Sequence, residues 1–134
     1  MPDIDALLNS ADPVIAVVGA SDAPGKYGST IYRDLKRKGF RVYPVNPRAT
    51  VVDGDAAYRT LHDLPEPADI VNFVIPPTRT LAVLERSVDL DLGVVWTQPG
   101  AGDDAVAAFL EGRGVLHVMD ECIMVRSRRR SPMP

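Results

Sequence analysis

The sequence predicts one α/β domain: a Rossmann-like, doubly wound parallel sheet of five strands. Three observations predict it. Short apolar segments of β character alternate with longer segments of helical period. Glycine and proline mark most of the boundaries between them. The first strand, Val14-Ile15-Ala16-Val17-Val18, is a continuous apolar run, as a strand covered by helices on both faces requires.

The elements follow in order. A short helix at 3–9 packs on an edge, and the first strand closes at Gly19. The next helix starts near Ser29, whose hydroxyl can cap free amides, turns Ile31, Tyr32 and Leu35 inward and stops at Gly39. The second strand is 41–45. A connection through Val51-Val52-Asp53-Gly54 and a helical turn at 58–64 lead to a third strand at 70–75. A helix over 78–91 carries Leu81, Leu84 and Val88 as an inward stripe and ends before Gly93. Strand 94–97 follows, then a helix opened by Asp103 with Val106, Phe109 and Leu110 inward, and a last strand at 115–119. Right-handed crossovers predict the strand order 3-2-1-4-5, with a ligand site at the carboxyl ends of the strands, in the loops after Gly19, Val45, Ile75, Thr97 and Met119. The domain occupies 1–125, and 126–134 form a basic, flexible tail.

The chain has 134 residues, enough for one core and too few for two. A net charge of -3 gives no general attraction to nucleic acid or anionic membrane, and no apolar run approaches the length of a membrane span. Met1-Pro2-Asp3-Ile4-Asp5 is acidic where a secretory signal would be basic and then apolar. A cytoplasmic location is expected. Cys122 is the only cysteine, which excludes an internal disulfide and a zinc site of several thiolates.

The loop Gly19-Ala20-Ser21-Asp22-Ala23-Pro24-Gly25-Lys26-Tyr27-Gly28-Ser29 suits phosphate. Its glycines let a ligand approach the backbone, a helix start supplies free amides, and Lys26 adds a charge. It does not spell the dinucleotide fingerprint, because Ser21 stands where the second glycine would be. The end of the second strand reads Val45-Asn46-Pro47-Arg48, with no carboxylate for ribose hydroxyls. Arg48 instead offers donors to a phosphorylated ribose, that of NADP or the 3'-phosphate of coenzyme A.

Val17-Val18-Gly19-Ala20-Ser21, Pro24 to Gly28 and Val42-Tyr43-Pro44-Val45-Asn46-Pro47 together resemble the coenzyme A-binding domain family. That family comprises small bacterial and archaeal proteins related to the N-terminal domains of NDP-forming acyl-CoA synthetases and of the succinyl-CoA synthetase alpha subunit. Ala57-Tyr58, Leu64-Pro65, Ala68-Asp69, Ile75-Pro76-Pro77, Trp96 to Gly100 and Asp120-Glu121-Cys122-Ile123 resemble further family segments, in order, over residues 10–125. The resemblance implies that Gly19, Ala20, Ser21, Lys26, Tyr27 and Gly28 hold the pyrophosphate, and that Asn46, Pro47 and Arg48 flank the adenosine and its 3'-phosphate. Ile75, Pro76 and Pro77 would form an apolar wall, and the pantetheine arm would pass Gln98 and Gly100. Pro76-Pro77 is closer to the synthetase version than to the Arg-rich version of some small members.

Cys122 lies where the thiol of the arm would end. Neighbouring Asp120 and Glu121 should raise its pKa, and its readings are a buried structural thiol or a partner in a reversible mixed disulfide with coenzyme A. His62 and His117 lack metal-ligand spacing, Trp96 reads as core, and Ser21 has no histidine near it for a triad. The expected function is a module binding coenzyme A or acyl-CoA without catalysis of its own, with a protein partner or a second copy as further partners. The alternatives are an NADP-binding oxidoreductase subunit and a regulatory protein with a vestigial pocket.

Overall fold

The computed structural model describes residues 3–129. Helix α1 (Ile4–Asn9) precedes strand β1 (Val14–Val18), helix α2 (Tyr27–Arg37) and strand β2 (Arg41–Val45). A small antiparallel hairpin, β3 (Val51–Val52) and β4 (Asp55–Ala56), and a 3-10 turn at Leu61–Asp63 lead to β5 (Ile70–Phe73). Then come α3 (Pro77–Arg86), β6 (Val94–Thr97), α4 (Asp104–Gly112), β7 (His117–Met119) and α5 (Ile123–Arg126). The main sheet is parallel throughout, in the order β2-β1-β5-β6-β7.

The fold class and the five parallel strands are those the sequence predicts, while the place of the third main strand differs. The expected order 3-2-1-4-5 sets 70–75 outside β2. In the structure β5 lies on the other side of β1, pairing Ile15 with Ile70 through to Val18 with Phe73, so the main strands run 2-1-3-4-5 in chain order. Pro44 supplies the reason. It sits in β2, and its carbonyl faces the outer edge, where it accepts from the Tyr58 amide at 2.9 Å. Proline has no N–H to offer a neighbouring strand on that side, which confines such a strand to an edge. The single bridge between Val45 and Tyr58 covers that edge instead. The point where the connections diverge therefore lies between β1 and β5.

Alternation along each strand distributes the core to two faces. Ile15, Val17 and Trp96 pack with Leu8, Ile31, Tyr32, Leu35 and Ile123, under α1, α2 and α5. Ala16, Val18, Val71, Phe73 and Val95 pack with Leu61, Leu84, Val106 and Leu110, under α3 and α4. Each fully buried leucine or isoleucine contributes about 1.5–3 kcal/mol.

Several boundaries move from their expected places. α2 begins at Tyr27, so Ser29 is a buried helical residue and Lys26 holds the cap position without a side-chain cap. α3 starts on Pro77, where a missing N–H is harmless. It stops at Arg86, where the Ser87 hydroxyl turns back to the Val83 carbonyl at 2.7 Å. Of the expected stripe Leu84 is core, Leu81 is half-buried and Val88 is 47% exposed. Asp103 caps α4 as expected, accepting from the Val106 amide at 3.0 Å. Arg126, assigned by sequence to the tail, closes α5. It pairs with Asp5 at 2.8 Å and Glu121 at 3.0 Å and lies 5.3 Å from the centre of the Trp96 ring. The Arg128 amide donates to Asn9, and residues 130–134 of the expected tail fall outside the described residues. Among the described residues no helix is long and apolar enough to cross a membrane.

The hairpin is tied to α2 by ionisable groups, and this sets a pH window. The Tyr32 hydroxyl donates to Asp55 at 2.6 Å, and Lys36 pairs with Asp55 at 2.9 Å and Asp53 at 3.1 Å. Hydrogen bonds from Tyr32 and then Lys36 hold Asp55 below its ordinary 3.8. Burial, followed by the Asp55 contact, pushes Tyr32 far above its ordinary 10.0. A depressed carboxylate contributes stability that is present above pH 3.8 and lost as pH falls through the folded value. A raised phenol contributes stability present below pH 10.0 and lost as pH rises above it. Tyr32→Phe is expected to lose about 1.5 kcal/mol at neutral pH and to flatten both limbs. Urea unfolding across pH measures this, and unchanged limbs would refute it.

Candidate functional site

The loops after the strands are arranged around two glycines at the carboxyl end of β1. Gly19 adopts a φ of +106°, and its N–H donates to the Val45 carbonyl at 2.9 Å. A Cβ there would lie 2.7 Å from methyl carbons of both Val74 and Ile75. Gly28, in the first turn of α2, sits so close to β1 that a Cβ would fall 2.1 Å from the Gly19 carbonyl oxygen. Only glycine allows this approach, which brings the positive end of α2 to the end of the strand. The Ser29 and Thr30 amides donate to the Lys26 carbonyl, which leaves the Tyr27 and Gly28 amides as the donors at the helix start. Ser21 turns inward on its own loop, its hydroxyl accepting from the Ala23 amide at 2.9 Å.

Asn46 has a role that the sequence reading did not see. Its side-chain amide donates to the Ala20 carbonyl at 2.9 Å, and its oxygen accepts from the Arg48 amide at 2.8 Å. It therefore clamps the loop after β2 to the loop after β1 and closes an Asx turn that presents Arg48. The Asn-Pro pair after a strand was the available signal. Asp22 was also missed. Its carboxylate accepts from the Asp53 amide at 2.8 Å and lies 3.6 Å from Arg33, joining the glycine loop to the hairpin. Pro47, Arg48 and Lys26 are exposed, and among the described residues neither Lys26 nor Arg48 makes an ion pair.

On the far side of the switch, the Ile75 carbonyl accepts from the Thr80 hydroxyl, and Pro76 and Pro77 open α3. Ile75 and Pro77 are half-buried and Pro76 is exposed, giving an apolar lip. After β6, Gln98 is buried, with Gly100 beyond it at a φ of +86°. The Gln98 oxygen accepts from the Ile123 amide at 2.8 Å and, more weakly, from Asn72 at 3.4 Å. Trp96, fully buried as expected, donates from its indole to the Glu121 carbonyl at 2.8 Å and anchors the segment leading to Cys122.

Cys122 Sγ lies 3.1 Å from the Tyr27 hydroxyl. Burial raises the thiol pKa, but the Tyr27 hydroxyl, the nearby Gln98 side chain and the Met124 and Val125 amides outweigh it, so the thiol lies below its ordinary value. The thiol in turn raises the Tyr27 phenol. The expected rise from Asp120 and Glu121 does not occur, because Glu121 is drawn to Arg126 and the dominant neighbours are donors.

The structure thus brings together Gly19, Gly28 and Ile75, then Ala20, Asn46 and Arg48, then Tyr27, Gln98 and Cys122. His62 pairs with Asp89 at 2.9 Å away from these residues, and His117 Nδ1 contacts the Val115 carbonyl. Among the described residues no group of three potential metal ligands is formed. An apolar groove of about 550 Å³, lined by Leu84, Val88, Leu92, Phe109 and Leu116, contains none of the site residues.

Comparison with known proteins identifies the family. The CoA binding domain family matches residues 13–128. The uncharacterised protein YneT of Bacillus subtilis is 32% identical over 111 residues, covering 83% of this chain and 82% of that protein. The alpha subunit of an ADP-forming acetate–CoA ligase II from Pyrococcus furiosus is 41% identical over 63 residues, 46% of this chain but 14% of the ligase subunit. A conserved hypothetical protein of Pyrococcus furiosus has a solved structure that superposes with a TM-score of 0.82 at 42% identity, over 86% of this chain and 99% of that one. With its parallel sheet, its glycine approach at β1 and a family match over residues 13–128, this chain belongs to the CoA binding domain family.

Proposed function

We propose that the chain binds coenzyme A or an acyl-CoA across the carboxyl ends of β1, β2, β5 and β6, as a binding module without catalytic machinery of its own. The observation that carries this reading is the approach of Gly28 to the end of β1 in a chain that the coenzyme A-binding family matches. In this reading the pyrophosphate lies against the backbone of Gly19, Ala20 and Ser21 and the Tyr27 and Gly28 amides, with Lys26 supplying charge. Arg48, held by the Asn46 turn beside Pro47, meets the 3'-phosphate. Ile75, Pro76 and Pro77 receive the apolar part of the ligand, and the pantetheine arm runs past Gln98 and Gly100 toward Cys122.

Calorimetric titration with coenzyme A, acetyl-CoA, NADPH and ATP tests it. Binding of coenzyme A or its thioester in preference to the others is the expected result. Preference for NADPH would overturn the reading, and no response to any of the four would favour a vestigial pocket. Arg48→Ala is expected to weaken coenzyme A about tenfold, the loss of one charge-assisted contact, and to leave dephospho-coenzyme A nearly unaffected. Equal losses for both ligands would remove Arg48 from the 3'-phosphate.

A further inference from the structure

Beyond reversible binding, and resting on the coenzyme A reading, the Cys122 corner has features that a structural thiol does not need. Sγ meets the hydroxyl of Tyr27, a residue 46% exposed, so the pair opens to solvent. Gln98 beside it is 1% exposed, and its oxygen is held by the Ile123 and Asn72 donors, which fixes the orientation of the amide. Its nitrogen, Nε2, has no hydrogen-bond partner among the described residues. A buried donor without an acceptor is costly, and it calls for an acceptor that a ligand would bring. Pantetheine carries amide carbonyls along its arm and a sulfur at its end. The influence of Gln98 on both Cys122 and Tyr27 places that donor next to the thiol.

We propose that Cys122 forms a reversible mixed disulfide with coenzyme A by exchange with coenzyme A disulfide, Tyr27 and Gln98 positioning the attacking sulfur. The Cys122 thiolate attacks one sulfur of the disulfide. The new bond joins Sγ to that sulfur, the original S–S bond breaks, and the second coenzyme A departs as a thiolate that takes a proton from water. The disulfide is itself the oxidant, so no other reagent is needed. Attack by free coenzyme A thiol on the adduct reverses the step. The Tyr27 contact that favours the thiolate increases the share of Cys122 able to attack at a given pH.

Intact-mass analysis of the full chain incubated with coenzyme A disulfide is expected to show one adduct, of coenzyme A mass less two hydrogens, that dithiothreitol removes and that Cys122→Ser does not form. Pantetheine disulfide, which lacks the nucleotide, is expected to react at least about tenfold more slowly, because docking of the nucleotide raises the effective concentration of the sulfur. Equal rates would overturn the proposal by showing a merely exposed thiol. Absence of an adduct in protein that binds reduced coenzyme A by calorimetry would overturn it and leave the binding reading intact, whereas failure to bind reduced coenzyme A would overturn that reading. In Tyr27→Phe the pH profile of Cys122 alkylation is expected to move to higher pH. The charged groups flanking the thiol, Asp120, Glu121 and Arg126, are the same in both proteins, and an unmoved profile would overturn the role given to Tyr27.

Discussion

Gly28→Ala is expected to lose about 3 kcal/mol of stability and to abolish measurable coenzyme A binding. Gly28 is helical, and by propensity alone alanine would favour the helix by about 1 kcal/mol. The clash decides the sign. The new Cβ would sit 2.1 Å from the Gly19 carbonyl oxygen and 2.9 Å from its carbon. Both are backbone atoms, and Gly19 is itself held by its bond to Val45, so no rotamer relieves the contact. α2 must retreat from the sheet, loosening Ile31, Tyr32 and Leu35 from the core and withdrawing its first amides from the end of β1. Urea unfolding reads the first effect and calorimetry the second. A variant as stable as the parent would show that α2 can yield beside β1 without cost, and full affinity would move the proposed phosphate site elsewhere.

Gly93→Ala is expected to cost more, about 4 kcal/mol, and to leave affinity within about twofold. Gly93 has a φ of +65°, which strains any L side chain, and a Cβ would lie 2.3 Å from the Asp69 carbonyl oxygen. Asp69 is a junction at the amino ends of three strands. Its carbonyl accepts from Val94, its amide donates to Val14, and its carboxylate accepts from the Val14 amide at 2.8 Å. The damage is therefore global to the sheet but remote from the carboxyl ends where the ligand is proposed to lie. Measured well below the melting temperature, the folded variant should titrate like the parent. A loss of affinity as large as that in Gly28→Ala would contradict the proposed location of the site.

These two glycines also show how unevenly the sequence can be read. Gly28 is visible in advance, because it stands in a glycine-containing loop between a buried strand and a helix. Gly93 looks only like a helix stop, and its contact with Asp69 depends on how β5 and β6 are paired. Asn46 reads only as a ligand residue, and its further place as a clamp is invisible in sequence, since the nearness of the Ala20 carbonyl is a fact of loop packing across two strands. For Cys122 the neighbours in sequence are carboxylates, while the neighbours in space are a phenol and an amide. The sign of its pKa shift follows the second set.

By itself the sequence determined the α/β class, the five parallel strands and the end of the sheet at which the candidate residues gather. These follow from local periodicity and turn residues, which act within a few residues of chain, and from the chirality of crossovers, which acts within one strand–helix–strand unit. The tertiary structure alone decided which strand lies beside β1, which donors surround Cys122, and that Arg126 belongs to the folded body. Each depends on contacts between segments far apart in sequence. The strand order was the nearest miss. Pro44 already carries the reason that β2 is an edge, but a proline inside a strand becomes decisive only when the side its missing N–H faces is known.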